Sequence, residues 1–413
     1  MELHQISLDM YQTAGVGVLA LLLGLFLTRK FEFLKRLCIP SPVSGGIIFS
    51  LLFLAIHGWG GIEFSFDGTL KDFFMMVFFT SVGYQSNLKV LKQGGKPIIV
   101  MVLLMVVLVI MQNLLSVGIA AGMGLKPLMG MTAGSIPMCG GHGTAGGFSS
   151  LLESMGVNGA SSIMMAAATF GLVAGSLIGG PLAELLINRH GLAAEALPDA
   201  EKDDLLGMEV NASLPDARTM RPDSEESEFR RLSRAAYQIL LAMALGTLVS
   251  WLLKKTGVTF PTYFGSLLAA ALIRNLSEAT NHAIRVDMDK VVAIGDVCLS
   301  LFLGMAMVSL RLWELAGLAL PLITMLLAET LFIAVFAYFI AFPLLGKNYD
   351  AAVLVSGICG FGLGATPNAM ANMSAVCYKY RYAVKPFVVV PIIGAMFVDL
   401  INTAVVTIFL NLL

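Results

Sequence analysis

The chain has 413 residues, of which 57% are hydrophobic and only 13% are charged, with a formal net charge of −1. Soluble domains carry about twice that charged fraction, and the mean hydropathy of +0.83 excludes an ordinary soluble protein. The net charge itself says nothing about nucleic acid, but no basic patch with interleaved aromatics appears, so nucleic acid is not expected as a partner. The composition therefore predicts an all-α polytopic membrane protein in contact with the lipid bilayer.

Ten apolar segments of roughly membrane-spanning length follow one another along the chain. They are predicted as helices at residues 11–28, 40–57, 72–87, 97–121, 160–188, 235–253, 259–276, 291–310, 321–343 and 385–411. Between the fifth and sixth lies a polar segment rich in Asp, Glu and Pro, a composition typical of a flexible linker. The sequence thus predicts an N-terminal membrane repeat at 1–188, a cytoplasmic flexible linker at 189–234 and a C-terminal membrane repeat at 235–413.

The positions of Lys and Arg predict the orientation, because short cytoplasmic loops carry the excess of these residues. With the N-terminus outside, the outer loops hold few of them: Lys71, Lys126, Lys254, Lys255 and Arg311. All the other Lys and Arg residues then fall in inner loops. Both termini are therefore predicted to be periplasmic, and the linker to be cytoplasmic.

Two glycine-rich stretches, Ser135–Thr144 and Ser356–Thr366, occupy matching places between the fourth and fifth spans of the two halves. Other matches support an internal repeat, since Asp72 and Asp296 each open a span and a proline follows each at the same distance. With five spans in each half, the second half must enter the membrane from the opposite side. The fold class predicted is two inverted-topology repeats of about five transmembrane helices, each with a glycine-rich re-entrant loop (127–150 and 350–372).

Irregular backbone at membrane depth is tolerated where it is buried in protein or lines a cavity, and a matched pair of interruptions points to a transporter binding site. Helix amino ends bind carboxylates, while carbonyl ends and unwound backbone bind cations. Loop residues predicted to bind a small anionic substrate are Gly141, His142, Gly143, Thr144, Gly362, Gly364, Thr366 and Asn368. The alternative is that the loop glycines only permit tight helix packing, which is our interpretation of Gly171, Gly175 and Gly179 on the fifth span.

Asp399 is an ionisable residue inside the last span, three residues before Asn402 and so on the same helical face. Such a group marks a functional site by default, so both residues are candidate substrate ligands, and Asp399 suits an ammonium group or a cation. Oxygen-bearing candidates for Na⁺ are Ser135, Gly140, Gly360, Asn113 and Asp399. For Gln112 and Glu329, also inside spans, and for His142, structural hydrogen bonding or pairing is an alternative.

The sequence lacks the HExxH, GxSxG and GxxxxGK[ST] motifs, so it predicts neither an enzyme nor an organic cofactor. A cation channel with the two loops as its filter, or an intramembrane enzyme, would be the alternatives from other classes.

Several stretches carry a resemblance to a known family: Met111–Asn113, Gly140–Thr144, Ala168–Val173, Ile178–Pro181, Leu312–Leu315, Gly346–Ala352 and Gly360–Pro367. In these stretches the chain resembles the bacterial sodium/glutamate symporters. The resemblance implies alternating-access symport of L-glutamate with Na⁺ across the bacterial inner membrane, with residues 140–144 and 360–368 forming the translocation site. It also implies a fold akin to that of the 2-hydroxycarboxylate transporters.

This chain departs from the family pattern in having Cys139 before the glycines and Ala145 after Thr144. A homodimer is expected, because it would hold the static part of the molecule in place. The alternative cargo is another small di- or tricarboxylate, such as citrate or malate. Asp399 discriminates between the two, since an amino acid offers it an ammonium group and a hydroxyacid does not.

Overall fold

The computed structural model describes residues 4–37, 39–87, 95–192, 228–255, 257, 259–280 and 285–413, most of which are helical. The elements up to residue 192 are β1 (His4–Leu8), α1 (Met10–Lys30), α2 (Glu32–Arg36), α3 (Ser41–Gly60), β2 (Ile62–Phe66), α4 (Thr69–Gln85), α5 (Gly95–Gly122), α6 (Pro127–Gly130), α7 (Ser135–Met138), α8 (Gly141–Ser154) and α9 (Ala160–Arg189). The elements from residue 228 onward are α10 (Glu228–Lys254), α11 (Phe264–Ala279), α12 (Met288–Val308), a 3₁₀ helix (Leu312–Leu318), α13 (Ala319–Phe336), a π-helix (Ala337–Ala341), α14 (Phe342–Leu344), α15 (Tyr349–Leu363), α16 (Thr366–Lys379), α17 (Val384–Met396) and α18 (Val398–Leu412).

Each of the ten predicted spans coincides with a helix or with consecutive helices. Within the described residues, seven helices are long and apolar enough to cross a membrane, and the bent α17–α18 pair makes an eighth. The other two predicted spans, α4 and α11, contain 17 and 16 residues, fewer than the ~20 usually needed. The chain is therefore a polytopic, mostly helical membrane protein.

The all-α prediction missed one small sheet near the N-terminus. Strands β1 and β2 pair in parallel, with His4 opposite Ile62 and Leu8 opposite Phe66. Each strand has five residues, too few for a clear alternation of polar and apolar side chains. The pairing depends on a contact between distant segments, which local pattern does not reveal.

The prediction of one continuous helix at 385–411 was wrong. The segment forms α17 and α18, which are bent by 47° relative to each other. Pro391 lies inside α17 and removes one backbone donor within two turns of the bend. The break places Asp399 in the first turn of α18 rather than midway along a helix.

Most of the linker predicted at 189–234, namely residues 193–227, lies outside the described residues, so the division into two repeats and a linker stays a prediction. The boundary at its end shifts, because residues 228–234 form the first turns of α10. Ion pairs join this start of α10 to the start of α12, since Arg231 and Arg234 both contact Asp287, at 3.3 and 3.1 Å, and Lys290 contacts Glu228.

The helix contacts of the two halves are reciprocal. In the first half α1 packs on α3, and in the second α10 packs on α11. The counterparts are α1 and α10, α3 and α11, and α4 and α12. Between the halves, α3 packs on α12, and its counterpart α11 packs on α4. In the same way α1 packs on α12, and its counterpart α10 packs on α4. Likewise, α9 contacts α15 and α16, whereas α18 contacts α7. The contacts named above are thus repeated by the counterpart helices five spans away.

Candidate functional site

The first glycine-rich stretch is a helix broken at its centre. Helix α7 ends at Met138 and α8 begins at Gly141, whose φ of +60° is a left-handed conformation that favours glycine. A Cβ atom added to Gly141 would lie 3.0 Å from the carbonyl oxygen of Gly364. The break in the first stretch therefore touches the break in the second.

The second stretch is broken in the same way. Helix α15 ends at Leu363, and α16 begins at Thr366 with Pro367 in its first turn, a position that needs no amide donor. Two asparagines of α16 tie it to α9, because Asn368 Nδ2 donates to the Leu172 carbonyl at 2.8 Å and Asn372 Nδ2 donates to the Gly175 carbonyl at 2.9 Å.

The two breaks enclose a cavity of about 250 Å³. Of the residues predicted to bind substrate or Na⁺, those that line it are Gly140, Gly141, His142, Gly143, Gly364, Thr366, Asn368 and Asp399. Apolar side chains complete the wall, among them Phe78, Leu172, Leu299, Leu303 and Phe361. The structure thus gathers residues from both halves of the chain around one small space.

Three helix amino ends converge on this cavity, those of α8, α16 and α18. The first-turn amides of a helix have no intrahelical partner, and together they carry a partial positive charge. Asp399 adds a carboxyl group from the first turn of α18, and Thr144 Oγ1 donates to its Oδ1 at 3.1 Å. The cavity therefore suits a molecule that bears both carboxylate and ammonium groups.

Thr144 and Asn402, with the candidate Na⁺ ligands Ser135 and Asn113, lie behind the cavity wall and bond to neighbouring groups. Asn402 Nδ2 donates to the Ser135 carbonyl at 3.0 Å, and Asn402 Oδ1 lies 2.7 Å from Ser135 Oγ. Asn113 Oδ1 accepts from the Ser135 backbone amide at 3.0 Å. Asp399 and Asn402 both face the first stretch, as their three-residue spacing predicts. These pairs hold α7 and α8 against α5 and α18.

Gly360 and Gly362 do not line the cavity. A Cβ atom on Gly360 would lie 2.4 Å from the Ala369 amide nitrogen, so this glycine allows α15 to pack against α16. The carbonyl of Gly362 accepts from Gln112 Nε2 at 2.9 Å. The packing interpretation of α9 is confirmed, because a Cβ atom on Gly171 would lie 2.0 Å from the Leu363 carbonyl oxygen.

For a neutral imidazole, the position of the proton on His142 follows from its hydrogen-bond partner. Thr169 Oγ1 donates its hydrogen to the Met165 carbonyl at 2.8 Å and lies 3.0 Å from His142 Nε2. Since that hydroxyl hydrogen is already used, we assign the imidazole hydrogen to Nε2, donating to Thr169. His142 Nδ1 is then an acceptor.

Oxygen atoms near the cavity suit Na⁺ better than a transition metal. Asn368 Oδ1 is buried without a hydrogen-bond partner, whereas Asn113 and Ser135 already bond to each other. Of the five candidate Na⁺ ligands, Gly140 and Asp399 line the cavity.

Sequence reasoning missed Asn372 and the apolar wall. Asn372 follows Asn368 by four residues on α16, so helical spacing would have found it on the same face. The wall residues Phe78, Leu172 and Leu299 look like any other apolar side chain of a membrane span.

A helical membrane protein with two broken helices meeting at a small internal cavity has the architecture of a secondary transporter. The model of the family described as sodium/glutamate symporter matches residues 6–382. The sodium/glutamate symporter of Escherichia coli (strain K12) is 39% identical over 406 residues, 98% of each chain. That of Haemophilus influenzae is 38% identical over 396 residues, 95% of each chain. The chain belongs to the sodium/glutamate symporter family, whose members are transporters and not enzymes.

Proposed function

We propose that this protein carries L-glutamate together with Na⁺ across the bacterial inner membrane by alternating access. The observation that carries the proposal is the convergence of three helix amino ends and one carboxyl group on a single cavity. Glutamate has two carboxylates for the helix ends and one ammonium group for Asp399. A volume of about 250 Å³ lies below the ~300–1,000 Å³ of sites for drug-sized ligands, which favours a small substrate.

In this proposal each part of the substrate has its own contact. One carboxylate meets the first-turn amides of α8 at Gly141 and Gly143, and the other meets those of α16 at Thr366 and Asn368. The ammonium group meets Asp399. A helix end supplies only about half a unit charge, so both loops are needed to hold the two carboxylates.

Sodium is assigned to the same region. The unpaired Asn368 Oδ1, the backbone around Gly140 and the Asp399 carboxylate offer the oxygen ligands that a hard cation prefers. Binding of Na⁺ beside the substrate would couple the binding of the two, because the positive charge of Na⁺ and the net negative charge of glutamate neutralise each other.

The reciprocal helix contacts support two inverted repeats with re-entrant loops. Exchanging each span for the one five positions away reproduces the main contacts, as expected for two halves related by a two-fold axis. The loops belong to one bundle with α5, α9, α13, α17 and α18. We propose that this bundle moves against a static group of helices, formed by α1, α3, α4 and α10–α12. Contacts between these static helices of two subunits would form a homodimer and hold them in place.

Contacts between loops support the proposed sorting of loops onto two sides of the membrane, while the distribution of Lys and Arg supports periplasmic termini. Arg311, predicted outside, lies 3.4 Å from Glu63 in another outer segment. Lys379, predicted inside, lies 2.5 Å from Glu184 near the inner end of α9. The pairs therefore join segments placed on the same side.

The di- or tricarboxylate alternative is disfavoured by the same cavity. Citrate and malate lack an ammonium group, so their negative charges would face the Asp399 carboxylate without compensation.

The proposal is tested by uptake of labelled glutamate into proteoliposomes with and without an inward Na⁺ gradient. We expect accumulation above the external concentration only when the gradient is present. Equal uptake with and without Na⁺, by folded protein, would contradict symport. Movement of Na⁺ without glutamate accumulation would favour a channel instead.

A further inference from the structure

A buried polar cluster lies between α5 and α13, outside the substrate cavity. Glu329 of α13 is 0% exposed, and Ser116 Oγ of α5 donates to its Oε1 at 2.6 Å. Gln112, one turn before Ser116, is also 0% exposed, and its side-chain amide hydrogen-bonds to the Glu329 carboxyl group. The proposed symport mechanism uses none of these three side chains.

The cluster is short of hydrogen-bond donors. Glu329 Oε2 and Gln112 Oε1 are both buried without a partner. The orientation of the Gln112 amide is fixed, because its Nε2 donates to the Gly362 carbonyl, which can only accept. An ionised Glu329 offers acceptors alone. Each unsatisfied buried polar group costs about 1–3 kcal/mol, and more if charged, so the cluster needs a donor or a cation.

Charged neighbours do not meet that need. The helices and turns packed against α13 are α5, α9, α15, the π-helix and the 3₁₀ helix. Their described titratable side chains are Glu184, Arg189, Glu314, Tyr338, Tyr349, Asp350 and Cys359. None of these interacts with Glu329, whose polar contacts are Ser116 and Gln112. An isolated ionised carboxylate in such a site is far costlier than the neutral acid.

We propose that Glu329 is a proton-binding site. A proton taken up from water converts the carboxylate into a carboxylic acid, and its O–H group supplies the donor that the cluster lacks. Release of the proton to water reverses the step without other covalent change. Ser116 and Gln112 are the positioning residues of this site.

The proton site is connected to the second loop. Gly362 lies in the last turn of α15, where unpaired carbonyls carry a partial negative charge. Gln112 binds that end, and Gly364 and Thr366, just beyond it, line the substrate cavity. An ionised Glu329 places a second negative charge near the helix end, so deprotonation weakens the attachment of this loop to α5.

Infrared spectroscopy of the full-length protein in proteoliposomes tests the proposal without glutamate. We expect the wild type at neutral pH to show the C=O band of a protonated carboxylic acid, shifted by exchange into D₂O. Glu329→Gln removes this band, whereas the control Glu153→Gln, which alters an exposed carboxylate, retains it. Ser116→Ala keeps the acid but loses one hydrogen bond, so the band moves to higher frequency.

Two results would overturn the proton site. If the wild-type band is the same in Glu329→Gln and unmoved in Ser116→Ala, Glu329 is ionised. If Glu329→Gln does not fold, Ser116→Ala alone decides: a band that moves to higher frequency supports a protonated Glu329, and an unmoved band contradicts it. A Glu329 band that vanishes on addition of Na⁺ would assign the cluster to Na⁺ and not to a proton. Because these measurements need no substrate, they stand apart from the glutamate uptake test.

Discussion

Thr144 acts on the cavity through Asp399 instead of lining it. Its hydroxyl is fully buried and donates to Asp399 Oδ1 at 3.1 Å. Asp399 also lies in the first turn of α18, where a carboxylate is stabilised by the helix amino end. The two interactions favour the ionised carboxylate, and the hydrogen bond holds it in one orientation.

We expect Thr144→Val to weaken glutamate transport by raising KM. A hydrogen bond to a charged group contributes about 1.5–3 kcal/mol, which corresponds to a KM raised roughly tenfold or more. Thr144→Ser keeps the hydroxyl and is expected to remain within about twofold of the wild type. Initial uptake rates in proteoliposomes measure both values. Equal KM values for the Val and Ser variants would show that the hydrogen bond does not act on the substrate.

At the scale of elements, α9 is the support of the second loop. Gly171, Gly175 and Gly179 bring its backbone against α15 and α16, and a Cβ atom on Gly179 would lie 2.1 Å from Asn372 Nδ2. The neighbouring Gly180 has no atom within 4 Å of its added Cβ position. Gly179 therefore has no room for a side chain, whereas the adjacent Gly180 does.

This contrast gives a matched pair of variants. Gly179→Ala is expected to destabilise the protein by about 1–3 kcal/mol through overpacking. Gly180→Ala is expected to be neutral, or to stabilise it by up to ~1 kcal/mol through helix propensity. Thermal unfolding of the purified protein in detergent compares them. A lower Tm for Gly180→Ala than for Gly179→Ala would contradict the packing of α9 on the second loop.

Local pattern predicted most of these elements but not their breaks. The spans were visible because uncharged apolar runs are long, and the two loops because glycine interrupts them at matching places. The break between α17 and α18 was not, since residues 385–411 form a long apolar run in which only two prolines, Pro386 and Pro391, and one acid, Asp399, stand out after Lys385. Asp399 was therefore identified as important, but its place at a helix amino end was not.

At the scale of the whole molecule, the cavity exists only because distant segments meet. The helix ends at Gly141, Thr366 and Val398 are far apart in sequence, and the contact between Gly141 and Gly364 joins the two halves. The internal repeat predicted that the two loops meet. The third helix end and the apolar wall could not be predicted, because they depend on packing between segments that are distant in sequence. Substrate bound there would contact both halves at once.

The central claim is that this cavity binds glutamate with its ammonium group on Asp399. Binding of glutamate and of glutarate, which lacks the ammonium group, is measured by calorimetry in Na⁺ for the wild type and for Asp399→Asn. Losing one partner of a buried charge pair costs about 2–5 kcal/mol, so the wild type is expected to prefer glutamate by at least about tenfold. In Asp399→Asn that preference is expected to fall close to one. An unchanged ratio of the two affinities in the variant would contradict the assignment of Asp399 and of this cavity to the substrate.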